Sequence, residues 1–259
     1  MIRTLSVTGT SLEVVERGQG RPLLFLHAGE GLAPERPWLD LLARRYRVIA
    51  PCHPGWGNSP LLDGIGVVDD LAYLYLDLAA ELGLEDAVLV GACFGGWVAT
   101  EIMVRSTTRF SRLVLVDPLG VKFAGCLERD IADMHAMPRL EYLERAWADP
   151  EQGELDLGRL TESELAAIAR SREAFALYGW KPYMHNPRLK RWLHRIDRPT
   201  LLLWGAEDRI VTPSYGEKWR QAIPDARLEL IAGAGHFPHW ERPEAFVEHV
   251  VAFVDGNNR

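Results

Sequence analysis

Cys93, Asp208 and His236 are a thiol, a carboxylate and an imidazole, each placed just past an apolar run. Together they are the parts of a nucleophilic site. The imidazole takes the thiol proton, and the acid fixes its tautomer and stabilises its charged form. Cys93 stands in Val88-Leu89-Val90-Gly91-Ala92-Cys93-Phe94-Gly95-Gly96-Trp97, where a strand pattern breaks at a glycine and a helix pattern follows. G-x-nucleophile-x-G holds a reactive side chain on a strained turn, with glycines where side chains would collide with the adjacent strand and helix. Asp208 lies in Gly205-Ala206-Glu207-Asp208-Arg209, and His236 in Gly233-Ala234-Gly235-His236-Phe237. Asp117 also follows a strand and is the competing acid. Asp208 is preferred for its Gly-x-x-Asp context, and Asp117-Pro118 would then brace the segment that follows.

Acyl transfer needs two backbone N–H groups aimed at a developing oxyanion. Phe94, directly after Cys93, supplies one, and Gly29 in Phe25-Leu26-His27-Ala28-Gly29-Glu30-Gly31 the other. His27 reads as a structural residue of that loop. A thiol has an ordinary pKa of about 8.5, so a helix N-terminus and a histidine readily give a thiolate–imidazolium pair. The covalent intermediate would be a thioester, open to amines, thiols and hydroxyls as well as water. Everything around the elbow would suit serine equally well, so a cysteine standing in place of a serine is a second reading of Cys93.

Positioning these residues requires a sheet. Apolar runs at Ser11–Arg17, Pro22–His27, Arg47–Pro51, Val88–Val90, Leu113–Val116, Thr200–Trp204 and Leu228–Ile231 alternate with helical patterns at Trp38–Arg45, Val67–Leu82, Phe94–Arg105 and Pro243–Val254. This predicts an α/β fold, a mostly parallel sheet flanked by helices. From about residue 120 the chain turns helical, charged and aromatic. The spacing predicts a core of 1–119 and 198–259, with a helical lid of 120–197 over the carboxyl ends of the strands, where open α/β sheets bind ligands. Trp97, Trp180, Trp192 and Phe237 are the predicted pocket residues, implying an apolar or aromatic acyl group.

The chain has 259 residues, 47% hydrophobic and 25% charged, and a net charge of −7. This suits one large globular unit and excludes a phosphate track, so no nucleic-acid partner is expected. The basic cluster Arg188, Lys190, Arg191, Arg195 and Arg198 reads as a solvated face. Cys52, Cys93 and Cys126 are too few and too scattered for a disulfide framework or a zinc site, and the lid histidines His135, His185 and His194 lack metal-ligand spacing. Neither metal nor cofactor is expected. Residues 1–6 lack a signal-peptide apolar core, and no apolar run reaches membrane-spanning length. A cytoplasmic protein acting on a small molecule, without a membrane partner, is the expectation.

The ordered motifs resemble the α/β-hydrolase superfamily, in its lidded branch related to meta-cleavage-product hydrolases. The likeness rests on His27-Ala28-Gly29, His53-Pro54-Gly55-Trp56-Gly57-Asn58-Ser59, the Cys93 elbow, Trp204-Gly205-Ala206-Glu207-Asp208, Gly233-Ala234-Gly235-His236 and the lid phrase Asn186-Pro187-Arg188-Leu189. It implies a Cys93–His236–Asp208 triad, and a homodimer, since lidded hydrolases are often dimers. The elbow cysteine resembles dienelactone hydrolase, where a glutamate near the oxyanion loop assists the thiol; Glu30 lies in the corresponding loop. Ala92, Trp192 and Phe237 depart from the asparagine, arginine and tryptophan that C–C hydrolases of this branch carry. The leading expectation is a cofactor-free ester, lactone or thioester hydrolase. Acyl transfer, C–C cleavage and a ligand-binding protein without turnover are the alternatives.

Overall fold

The computed structural model describes residues 1–256 apart from 34, 36, 63, 65 and 126. Cys126 therefore lies outside the described residues. Eight strands form one sheet: β1 (Ile2–Val7), β2 (Thr10–Arg17), β3 (Pro22–Leu26), β4 (Arg47–Pro51), β5 (Ala87–Ala92), β6 (Phe110–Val116), β7 (Thr200–Gly205) and β8 (Ala226–Ile231). Their order is β1-β2-β4-β3-β5-β6-β7-β8. β1, β2 and β4 pair antiparallel, and every later pair is parallel. The central strands are near-continuous apolar runs because helices cover both faces. Those helices are α1 (Trp38–Ala43), α2 (Val68–Glu81) and α3 (Phe94–Arg105) before the long β6–β7 connection. That connection carries α4 (Arg139–Ala146) and α5 (Glu162–Gly179). After it come α6 (Pro213–Ala222), α7 (Pro238–Glu241) and α8 (Pro243–Asp255).

β1 has no counterpart in the sequence reading. Its residues alternate exposed and half-buried at the sheet edge, which leaves a weak apolar signal. It is fixed by a two-residue hairpin, Thr8-Gly9, with φ of +47° and +85°, the twist that matches paired strands. α6 was also unpredicted. It starts at Pro213, whose locked φ suits a first helical position, and buries only Tyr215, Gly216 and Trp219.

The β6–β7 connection adds no strand to the sheet among the described residues. It returns on itself where Gly120 bridges His185, and Asn186 Nδ2 donates to Glu101 Oε1 at 2.8 Å. The Arg195 guanidinium donates to the Val104 carbonyl at 2.7 Å, so this member of the basic cluster anchors the segment to α3.

Candidate active site

β5 ends at Ala92 and α3 begins at Phe94, leaving Cys93 alone at the turn with φ +50° and ψ −112°. A non-glycine residue there costs roughly 1–3 kcal/mol. The cost is met by close neighbours: Cys93 N–H donates to the Val116 carbonyl at 2.8 Å, and the Cys93 carbonyl accepts from Leu119 at 3.1 Å. A side chain at Gly95 would lie 2.1 Å from the Leu26 carbonyl oxygen, and one at Gly91 2.4 Å from that of Gly95. The glycines are therefore required by the crossing of α3 over β3 and β5.

The turn after β7 and the turn after β8 touch so closely that a Cβ on Gly205 would sit 1.8 Å from the Gly235 carbonyl oxygen. This contact brings Asp208 to His236. His236 Nδ1 donates to Asp208 Oδ2 at 2.8 Å, and Asp208 Oδ1 accepts from the Ile210 and Val211 amides at 2.7 and 3.1 Å. The bond sets the tautomer and leaves Nε2 as the free nitrogen. Cys93, Asp208 and His236 are 1%, 2% and 1% exposed. Burial opposes a charged His236, but Asp208 and then Cys93 outweigh it and raise its pKa well above the usual value. Cys93 thus lies within electrostatic reach of the imidazole, although Nε2 makes no well-aligned hydrogen bond among the described residues. Loose alignment is common before substrate binds.

Three residues given no role in the sequence reading brace this pair. Glu207 accepts from the Gly233 and Ala234 amides at 3.2 and 3.1 Å. Glu241 accepts from Gly235 and Ala148, both at 2.8 Å. Ala146, at the end of α4, accepts from the His236 amide at 2.6 Å. Glu241 lies six residues beyond the glycine it holds, a weak local signal, whereas Glu207 lies 26 residues before Gly233 and no local pattern links the two.

Asp117 is fully buried beside the pair, and its Oδ1 accepts from the Gly205 amide at 3.0 Å. Burial first, then the charge of Asp208, pushes its carboxyl well above the usual range. Asp117, Asp208 and His236 have ligand-type atoms within 4.8 Å of one another, the one such group of three among the described residues. His236 Nδ1 is already committed to Asp208, so the group is poorly suited to a cation.

In the loop after β3, His27 Nδ1 bonds the Ala28 carbonyl at 2.7 Å, and its Nε2 accepts from the His53 amide at 2.9 Å. Both histidines hold the loop together, and burial lowers the pKa of each. Trp56 Nε1 donates to the Gly29 carbonyl at 2.8 Å, and a Cβ on Gly29 would strike the Phe175 ring at 2.5 Å. Glu30 accepts a hydrogen bond from the Tyr142 hydroxyl. Tyr142 and Ala146 share one face of α4 at i, i+4 spacing, so α4 reaches from the Gly29 loop to the His236 loop.

Phe94 anchors an aromatic wall: Trp56 stacks on it at 5.5 Å, and Phe175 and Tyr178 from α5 approach at 5.5 and 5.9 Å. Trp97 meets its edge at 6.2 Å, and Phe237 lies 5.0 Å from the His236 ring. Trp180 and Trp192 correct the predicted pocket, being 66% and 42% exposed. The buried stripe of α5 runs through Phe175 and Tyr178, and Trp180 is about 200° further round at about 100° per residue. It lines a surface cavity of about 290 Å³ with Val121, Tyr183 and His185. Trp192 stands outside the turn whose Leu189 and Leu193 are buried, with the Arg191 guanidinium 5.7 Å over its ring.

Residues 23–249 match the Alpha/beta hydrolase family, and the chain belongs to it. It is 31% identical over 263 residues to polyketide synthase ThaQ of Burkholderia thailandensis, covering 95% of this chain and 12% of the synthase. The chain thus spans about an eighth of that relative's length. It is 26% identical over 268 residues to a 2-hydroxy-6-oxo-6-phenylhexa-2,4-dienoate hydrolase of Comamonas testosteroni, covering 92% of this chain and 89% of that one. A serine hydrolase from Cycloclasticus zankles superposes with a TM-score of 0.81 over 99% of this chain and 98% of its own, at 20% identity. No helix among the described residues is long and apolar enough to cross a membrane.

Proposed function

We propose that the protein cleaves an ester, lactone or thioester through Cys93, with His236 as base and acid and Asp208 orienting it. The carrying observation is the 2.8 Å His236–Asp208 bond, with Cys93 on its strained elbow inside electrostatic reach of the same imidazole. The thiolate attacks the acyl carbon, a C–S bond forms, and the carbonyl electrons move to oxygen. The Phe94 N–H opens α3 and has no partner within the helix, so with Gly29 N–H it can meet that charge. Collapse breaks the bond to the leaving group, which takes the proton from His236. Water then gives its proton to His236, attacks the thioester and returns the thiolate. The segment 120–197 acts as a lid, and Trp56, Phe94, Phe175 and Tyr178 favour an apolar or aromatic acyl group.

Acyl transfer is the second reading. It is favoured by the exclusion of solvent from Cys93 and by the likeness to a segment of a polyketide synthase, since a polyketide is an extended acyl chain. A p-nitrophenyl ester should give a burst of p-nitrophenol that Cys93→Ala abolishes, with a loss of about 1,000-fold or more in turnover. Equal turnover by the variant would overturn the reading. Products formed with added alcohols or amines separate transfer from hydrolysis.

A further inference from the structure

Asp117 has no task in the steps above, yet it is buried against the pair that has. Its backbone is left-handed, with φ +43°, a costly conformation for a residue other than glycine. The amide donates to the Leu203 carbonyl at 3.1 Å, and Oδ1 holds the Gly205 amide, from which the Asp208 turn starts. The other oxygen, Oδ2, is buried and meets no hydrogen-bond donor among the described residues. Asp208 in its carboxylate form accepts from two amides at one oxygen and from His236 at the other, and the second oxygen keeps a further lone pair. Two bare carboxylates within 4.8 Å in a dry interior repel each other and forfeit their hydration. One proton resolves both problems. It gives Oδ2 an O–H to donate, and it leaves a single negative charge facing the imidazole.

We propose that Asp117 is a positioning residue, a carboxylic acid that keeps its proton and donates it in a hydrogen bond to Asp208. His236 then works against a two-carboxyl unit carrying one charge. The proposal rests on the reading of Cys93, His236 and Asp208 above. It also gives the site a reserve. When Asp208 cannot ionise, Asp117 loses its like-charged neighbour, releases its proton more readily, and serves His236 instead. The titratable groups facing Asp117 are Asp208 and His236, with Cys93 acting through the latter.

The test compares Asp208→Asn, Asp117→Asn and the double variant, by ester turnover and by iodoacetamide labelling of Cys93 across pH. Asparagine tolerates the left-handed backbone and retains an N–H donor toward Asp208. Asp208→Asn should lose about 10- to 100-fold in kcat/KM, against about 10⁴ where a histidine has a single carboxylate to lose. Its acid limb should move to higher pH, because Asp117 must now ionise. The double variant should lose at least another 100-fold, without that limb. Identical rates and profiles for Asp208→Asn and the double variant would overturn the proposal. Independently of activity, the infrared difference between the unaltered protein and Asp117→Asn at neutral pH should show the carbonyl stretch of a neutral carboxylic acid. Its absence would overturn the proposal as well. If Cys93→Ala is inactive while these comparisons fail, only the role of Asp117 is wrong; if Cys93→Ala stays active, the nucleophile itself is wrong.

Discussion

The loops after β7 and β8 and the segment between β6 and β7 converge on one sulfur, yet they are built in opposite ways. In and beside the loops, carboxylates take the backbone amides: half-buried Glu207 holds 233 and 234, buried Glu241 at the end of α7 holds 235 and 148, and buried Asp208 holds 210 and 211. In the segment, the turns Pro150–Gly153 and Leu157–Arg159 bury nothing, and α5 buries only Ala174, Phe175, Tyr178 and Gly179. The first construction fixes angles. The second packs sparsely through those turns and α5, the kind of region in which local opening costs least, while Leu143 and Ala146 of α4 and, further on, Leu189, Leu193 and Ile196 are buried. Cys93 is almost fully enclosed, so under the proposed function substrate reaches it by displacing part of the sparsely packed stretch around α5.

Several measurements sharpen this contrast. Removing a brace from the rigid side should have the larger effect. Glu241→Ala leaves the Gly235 and Ala148 amides without their acceptor, at a cost of about 1–3 kcal/mol in stability. It should also lower kcat by about 10-fold or more, read by denaturant unfolding and steady-state kinetics; unchanged kcat would mean that the His236 loop needs no such support. A change in α5 should act on binding instead. Phe175→Ala should raise KM for an aromatic ester by several-fold and leave kcat within about three-fold, since the ring lies over Gly29 but touches no group of the acid–base pair. A kcat loss equal to that of Glu241→Ala would erase the distinction.

The pH dependence of stability probes the loop after β3. His27 is buried neutral, and burial depresses its pKa to about 4 from 6.5. The unfolded chain therefore binds a proton that the folded one refuses. Stability is full above about pH 6.5 and is lost as pH falls toward 4, by up to about 3 kcal/mol from this residue. His53, depressed in the same direction, adds to the loss. His27→Gln should flatten the slope of unfolding free energy between pH 6.5 and 4; an unchanged slope would remove His27 from the account.

Much of this arrangement was legible in the chain because it is local. The glycines around Cys93, the apolar runs before Asp208 and His236, and the start of α3 each follow from a few adjacent residues. α3 begins and ends where its pattern does, at Phe94 and Arg105. What was not legible depends on partners far away in sequence. β1 alternates too weakly to declare itself without β2 beside it. Glu207 and Glu241 look like ordinary surface acids until folding brings amides to them. Trp180 and Trp192 look like pocket residues by composition, and only the buried stripe of α5 and the packing of Leu189 and Leu193 turn them outward. Asp117 was legible as an alternative to Asp208. That both would stand beside one histidine was not, because it requires β6 and β7 to be neighbours in register from Leu113–Thr200 to Val116–Leu203.

The central claim is that the Cys93 sulfur carries the acyl group, and stoichiometric alkylation tests it most directly. Iodoacetamide modification of Cys93, followed by mass spectrometry, is run beside p-nitrophenyl ester turnover on the same samples. The account predicts that activity falls in proportion to the fraction of Cys93 modified and reaches background at one equivalent. Full modification of Cys93 with turnover intact would contradict it.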